Sequence, residues 1–132
     1  MLRSSSQFGL SDEVWAAAKS ELREAVLDAA YDRRMTTYGE VAAAVSVIQL
    51  EPYSSLMNHL LGSIWADEYA AGRPALTAIV THKYGDKEPG AGFYEMARGL
   101  GYRFSDGVTF WGDQVGRVFK QHGKPERIKP RR

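Results

Sequence analysis

Thr36-Thr37-Tyr38-Gly39-Glu40-Val41-Ala42-Ala43-Ala44-Val45 is the stretch on which the reading of this chain turns. Thr37 and Glu40 have the spacing of a capping box. The threonine oxygen accepts from a free amide of the first turn, and the glutamate reaches back to the amide of the cap. Val41, Ala42 and Val45 give the short helix its buried side. Val47-Ile48-Gln49-Leu50 then reads as an extended link, and Pro52 marks the start of a second helix. From Tyr53 to Ala71, an apolar stripe runs through Leu56, Leu60, Leu61, Ile64, Trp65 and Tyr69, until Gly72 ends the helix and Pro74 prevents its resumption. A short capped helix followed by a longer one is the order of a helix-turn-helix.

The same reading extends in both directions. Upstream, Ser11-Asp12-Glu13 opens a helix over 11–33, with acids at the positive end of its dipole. Val14, Trp15, Ala18, Leu22, Ala25, Val26 and Ala29 recur at helical spacing. Downstream, residues 75–83 (Ala-Leu-Thr-Ala-Ile-Val-Thr-His-Lys) predict a strand, and residues 84–92 a glycine-bearing loop. Phe93 to Leu100 predicts a short helix stopped by Gly101, although residues 92–96 suit a strand as well. Tyr102-Arg103-Phe104 predicts a brief strand. Asp106 or Thr109 caps a last helix, with Phe110, Trp111, Val115, Val118 and Phe119 on one face. The expected fold is α+β and mostly helical: a winged-helix-like helix-turn-helix with a short β segment and a C-terminal helix. The expected division is a loose lead-in over 1–10, one domain over 11–122 and a basic disordered tail over 123–132.

Composition bounds the function. With 132 residues, 44% of them hydrophobic, the chain suits one domain with a real core. It has no cysteine, which removes disulfides, thiolate metal sites and thiol nucleophiles. No apolar run approaches the ~20 residues of a membrane span, so the expectation is a cytoplasmic protein with no membrane partner. The formal charge of +1 hides an asymmetry. Residues 124–132 hold five basic groups and one acid (+4), which leaves twelve basic and fifteen acidic residues (−3) in the body. Phosphate neutralisation supplies most of the affinity of a DNA-binding domain, and here only the tail is basic. The helix over 53–71, the one that would enter a groove, carries no Lys or Arg.

The residues Thr37-Tyr38-Gly39-Glu40-Val41-Ala42 resemble the Thr-Tyr-Gly-(Glu/Asp)-(Ile/Val)-Ala signature of the alkylguanine-DNA alkyltransferases and alkyltransferase-like proteins. The resemblance spans about residues 14–101 and implies a winged helix on DNA, with Tyr38 pressing on a phosphate. The family's acceptor cysteine has no counterpart, so alkyl transfer is excluded. The Arg that opens the recognition helix in alkyltransferase-like proteins is also missing, since Glu51-Pro52-Tyr53-Ser54-Ser55-Leu56 stands there.

As a DNA interface, the sequence offers Tyr38, Ser54, Ser55, Asn58 and His59 toward bases or phosphates, with Arg73, Lys83, Lys87, Lys124 and Arg127 as phosphate contacts. Gly90 and Gly92, ahead of a helix, suggest an anion site on free amides. His82 with Asp86, Glu88 or Glu95 imitates an acid–base pair. His59, His82 and His122 lack metal-ligand spacing, and no cofactor motif occurs. Trp15, Trp65 and Trp111 sit on apolar helical faces and read as core. The leading expectation is a non-enzymatic DNA-binding accessory or regulatory protein with duplex DNA as partner. The alternative is a protein–protein interaction module on the same scaffold, a complex subunit or a phage-type accessory inhibitor, and a small-anion binder or hydrolase over 82–95 is the third reading.

Overall fold

The computed structural model describes residues 8–83 and 88–125. Its elements are α1 (Asp12–Tyr31), β1 (Thr36–Thr37), α2 (Tyr38–Ala43), α3 (Ser55–Ala70), a 3-10 turn over Leu76–Ile79, β2 (Val80–Thr81), α4 (Ala91–Leu100) and α5 (Gly107–His122). The architecture is α+β and mostly helical, as the sequence predicts.

The helix starts are built by the residues that cap them. Ser11 accepts from the Val14 amide, Thr37 from Glu40, Ser54 from Met57 and Asp106 from Val108, each near 3.1–3.2 Å. Each bond satisfies one of the amides a helix leaves free at its start. Only half of the predicted capping box forms. Glu40 does not reach back to Thr37; its carboxylate accepts from the Thr36 hydroxyl at 2.9 Å and lies 3.4 Å from Arg34. Thr36 is buried in the β1 pairing and its hydroxyl needs an acceptor, which the charged carboxylate supplies. At the far end of α1, Arg33 takes a φ of 55° and the Arg34 amide bonds back to the Ala29 carbonyl at 3.0 Å. This is the left-handed helix ending usually made by glycine.

The predicted strand over 75–83 is mostly not a strand. Residues 76–79 form the 3-10 turn, and only Val80 and Thr81 are extended. Ala75 to Val80 are all buried, with α1, α3 and α5 packed around them. With helices on these sides, the segment must satisfy its backbone locally or through side chains. The Ala78 amide bonds to the Ala75 carbonyl, the Gln114 side chain accepts from the Ala75 amide at 3.0 Å, and Trp111 Nε1 donates to the Ala78 carbonyl at 2.7 Å. Two residues of α5 thus complete the hydrogen bonding of the central segment.

Where the chain does become extended, Thr36 pairs with Val80 and Thr37 with Thr81, in parallel. This two-stranded sheet ties the start of α2 to the end of the central segment. A wing needs a strand antiparallel to β2, and none follows it among the described residues. The His82 amide instead donates to the Glu88 carbonyl at 3.2 Å, and α4 begins at Ala91. Residues 92–96 are helical. The predicted strand over 102–104 is absent as well: Gly101 takes a φ of 106° and the Tyr102 amide bonds back to Ala97, so these residues serve as the helix ending.

The core has two parts. Ala18, Leu22 and Val26 of α1 meet Met57, Leu60 and Ile64 of α3, Leu76 and Ile79, and Val118 of α5. A second, more aromatic cluster holds Trp65, Ala75, Ala78, Phe93 and Ala97, with Tyr102, Phe104, Phe110 and Trp111 packed against it. Trp65 is fully in the core, while Trp15 and Trp111 are half-buried at its edge. Phe8 stacks on Trp15 and meets His59 edge-on, so the described end of the lead-in packs on the body. Among the described residues no helix is long and apolar enough to cross a membrane.

Candidate functional site

Tyr38, the first residue of α2, points inward: it is 9% exposed. Its hydroxyl accepts from the Gly90 amide at 3.2 Å. Its ring lies 5.6 Å from Tyr53 and 5.2 Å from His82, and these two stack on each other at 5.5 Å. Burial pushes the Tyr38 phenol above its ordinary value, with the Gly90 amide pulling the other way. The phenol is therefore neutral across the physiological range. The bond also occupies one of the amides expected to form an anion site at Gly90.

Beside this corner, α3 and α4 border an open cavity of about 260 Å³. Tyr38, Asn58, His59 and Gly92, four of the residues singled out in the sequence, line it together with Trp65, Phe93 and Glu95. Phe93 stacks on Trp65 at 4.7 Å. Trp65 Nε1 is buried and has no hydrogen-bond partner among the described residues. His59 Nδ1 lies 3.1 Å from the Ser55 carbonyl. A carbonyl only accepts, so Nδ1 carries the hydrogen and, in the neutral ring, Nε2 is left as an acceptor.

The other end of α3 is electrostatic. Glu68 is completely buried, and its carboxylate is held by Arg23 of α1 at 2.6 and 3.1 Å and by Arg73 Nε. Burial alone would raise this carboxyl, but the hydrogen bonds and charges of the two guanidiniums outweigh it and hold Glu68 below its ordinary value. The bond to Glu68 raises Arg73 in turn. Arg73 also lines a polar groove of about 540 Å³ with Tyr102, Gln114, Arg117 and Lys120. A second recess of about 370 Å³ shares Tyr102 and adds Arg98, Arg103 and Phe104. Arg98 covers the Phe104 ring at 4.1 Å, a cation–π contact. Tyr69, 44% exposed, meets Tyr102 edge-on at 5.4 Å. Arg73, Arg98, Arg103, Arg117 and Lys120 thus frame one aromatic-lined surface; two of them are paired with carboxylates, Arg73 with the buried Glu68 and Arg117 with Asp113 at 2.8 Å.

The other candidates are dispersed. Ser54 is spent on its cap and on the Glu51 carbonyl, while Ser55 is exposed at the first turn of α3. Lys83 is exposed just after β2. The Lys124 amide bonds the Tyr31 carbonyl at 2.9 Å, its carbonyl accepts from Arg33 Nε at 2.8 Å, and its amine lies 3.5 Å from Asp32. The start of the expected disordered tail is therefore docked on the end of α1. Asp86, Lys87 and Arg127 lie outside the described residues, as does most of the tail. Sequence reasoning found Arg73 but missed Arg98, Arg103, Arg117 and Lys120, which arrive from α4, a loop and α5. The only local signal was Arg117, Lys120 and Gln121 at helical spacing on one face.

Compared with protein-family models, with curated proteins and with solved structures, the chain matches none.

Proposed function

We propose that this protein is a non-enzymatic DNA-binding accessory protein that grips the duplex backbone through the surface framed by Arg73, Arg98, Arg103, Arg117 and Lys120. The observation that carries the reading is the convergence of these cations around Tyr102, in a body whose net charge is otherwise acidic. Planar guanidiniums suit bidentate contact with phosphate. Aromatic side chains beside them add contact area for sugar and base edges. In this reading α3 does not enter the groove: it has no cation, and its acidic end is engaged with Arg23 and Arg73.

The test is fluorescence anisotropy of a labelled random-sequence duplex across a salt series. Each phosphate contact contributes about 0.9 to the slope of log affinity against log salt. Arg103→Gln with Lys120→Gln should therefore weaken binding and reduce the slope by roughly 2. Arg34→Gln, away from this surface, should leave both unchanged. No mobility change at low salt with excess protein would overturn the proposal. So would a nuclease-insensitive stoichiometric protein partner that competes for the same cations.

A further inference from the structure

Arg98 stands in the last turn of α4, and the chain reverses just beyond it. Gly101 takes a left-handed φ of 106°, and the Tyr102 amide returns to the Ala97 carbonyl. The reversal brings Phe104 under Arg98, whose guanidinium carbon lies 4.1 Å from the ring centre. Phe110, from the first turn of α5, stacks on Phe104 at 4.3 Å and 10°. Two flat groups at these distances cannot share one face, so Phe104 is held between them. Phe110, Phe104 and Arg98 thus form a column that ends on an exposed guanidinium. A cation–π contact alone would only cover a half-buried ring, but the surroundings add to it. The recess beside the column, about 370 Å³, is lined by no carboxylate. Among the described residues neither Arg98 nor Arg103 is in an ion pair, unlike Arg73 and Arg117. Tyr102 is common to this recess and to the groove of Arg73, Arg117 and Lys120, so a backbone held in the groove leads into the recess.

We propose that, given a groove that grips the DNA backbone, the recess takes an unpaired nucleotide adjoining the duplex. Its base stacks on the outer face of Arg98 as the next layer of the column, and its phosphate lies beside Arg103. The column selects an unpaired base because, inside a duplex, the neighbours cover both faces of every base; only an unstacked base has a face to offer to a guanidinium plane. A guanidinium is weakly hydrated and stacks on ring faces, and here Phe104 already holds it in place. An acidic peptide would satisfy the cations but leave the flat end of the column unused.

The test measures binding of the full chain to three labelled DNAs by fluorescence anisotropy. One duplex sequence is used blunt-ended, with a short deoxyadenosine overhang, and with an abasic overhang of the same length. The two overhangs carry the same phosphates and differ only in their bases. The deoxyadenosine overhang should bind at least ~5-fold more tightly than the abasic one, equivalent to about 1 kcal/mol, the lower end of what one stacked base contributes. Arg98→Lys keeps the charge and loses the plane, and should abolish that difference. Phe104→Leu removes the ring beneath the guanidinium and should diminish the difference in the same direction. The assignment is overturned by equal binding of the two overhangs, by a difference that survives in Arg98→Lys, or by polyglutamate displacing the protein as effectively as a single-stranded oligonucleotide of equal charge. Binding of the blunt duplex without any dependence on overhang bases would overturn it and leave the backbone grip standing. Absence of binding to all three DNAs would overturn both.

Discussion

Glu68 allows the packing of this fold to be tested with a change of sign. The carboxylate has no exposure to water, whereas the Arg23 and Arg73 side chains that hold it are 33% and 37% exposed. The two sides of the cluster are therefore unequal. Removing the acid by Glu68→Gln leaves two guanidiniums that water can reach, so the loss is that of charge-assisted hydrogen bonds, roughly 1.5–3 kcal/mol. Removing both partners by Arg23→Met and Arg73→Met strands a buried carboxylate, at a cost of about 3–5 kcal/mol. Replacing all three by Met, Leu and Met should recover most of that loss, because no charge is left to desolvate. The pH dependence separates these cases further. In the wild type, the folded carboxyl lies below its ordinary value of 4.5. Its contribution is thus present above that value and lost as pH falls through the folded one. In the double-arginine variant burial is unopposed and the folded value rises above the ordinary one. Stability is then greatest at acid pH and is lost as pH rises, a slope of opposite sign. Urea unfolding followed by tryptophan fluorescence between mildly acid and mildly alkaline pH measures all four proteins. The reasoning is refuted if the double-arginine variant loses less than Glu68→Gln, or if its loss is the same at both ends of the pH range.

Two further outcomes follow from buried polar groups elsewhere. Gln114→Leu removes the acceptor of the Ala75 amide in the central segment; it should cost about 1–3 kcal/mol, measured by urea denaturation, and Gln114→Glu should retain part of it. His122 is half-buried, with an Nε2 lacking a partner among the described residues, and burial lowers its folded value below the ordinary 6.5. Protons therefore bind the unfolded chain first as pH falls, so the wild type should lose stability as pH falls through the ordinary 6.5 toward the lower folded value. His122→Leu should flatten that window alone, which thermal unfolding across pH can follow.

The local punctuation of the fold was legible in the sequence, and the centre was not. Ser11, Thr37 and Gly101 mark their boundaries because a cap or a left-handed residue acts within a few positions of itself. The run from Ala75 to Val80 was misread because burial on all sides gives the same unbroken apolar pattern whether the backbone is extended or coiled. What decided it was Gln114 and Trp111, more than thirty residues away. The cavity was partly legible: Tyr38, Asn58 and His59 stood out, but toward DNA, since the docking of α4 beside them leaves no local trace. The cationic surface was least legible, for the same reason multiplied across several elements.

The missing cations of α3 acquire a physical reason once the helix is placed. Its apolar stripe is buried against α1 and the central segment, with Met57, Leu60 and Ile64 fully enclosed. Its acidic end is held from outside the helix: Asp67 pairs with Lys19 at 2.6 Å, and Glu68 with Arg23 and Arg73. Its first turns border the cavity through Asn58 and His59. The outer face that remains carries Ser55, Asn58, Asp67 and Tyr69, with no cation to meet a phosphate. This separates two versions of DNA binding. If α3 is the reading helix, Asn58→Asp should weaken binding as much as Lys120→Glu does. If the backbone is gripped by the surface around Tyr102, Lys120→Glu should dominate and Asn58→Asp should have little effect. The acidic net charge of the body then poses no obstacle, because a backbone grip depends on where cations gather and not on their sum.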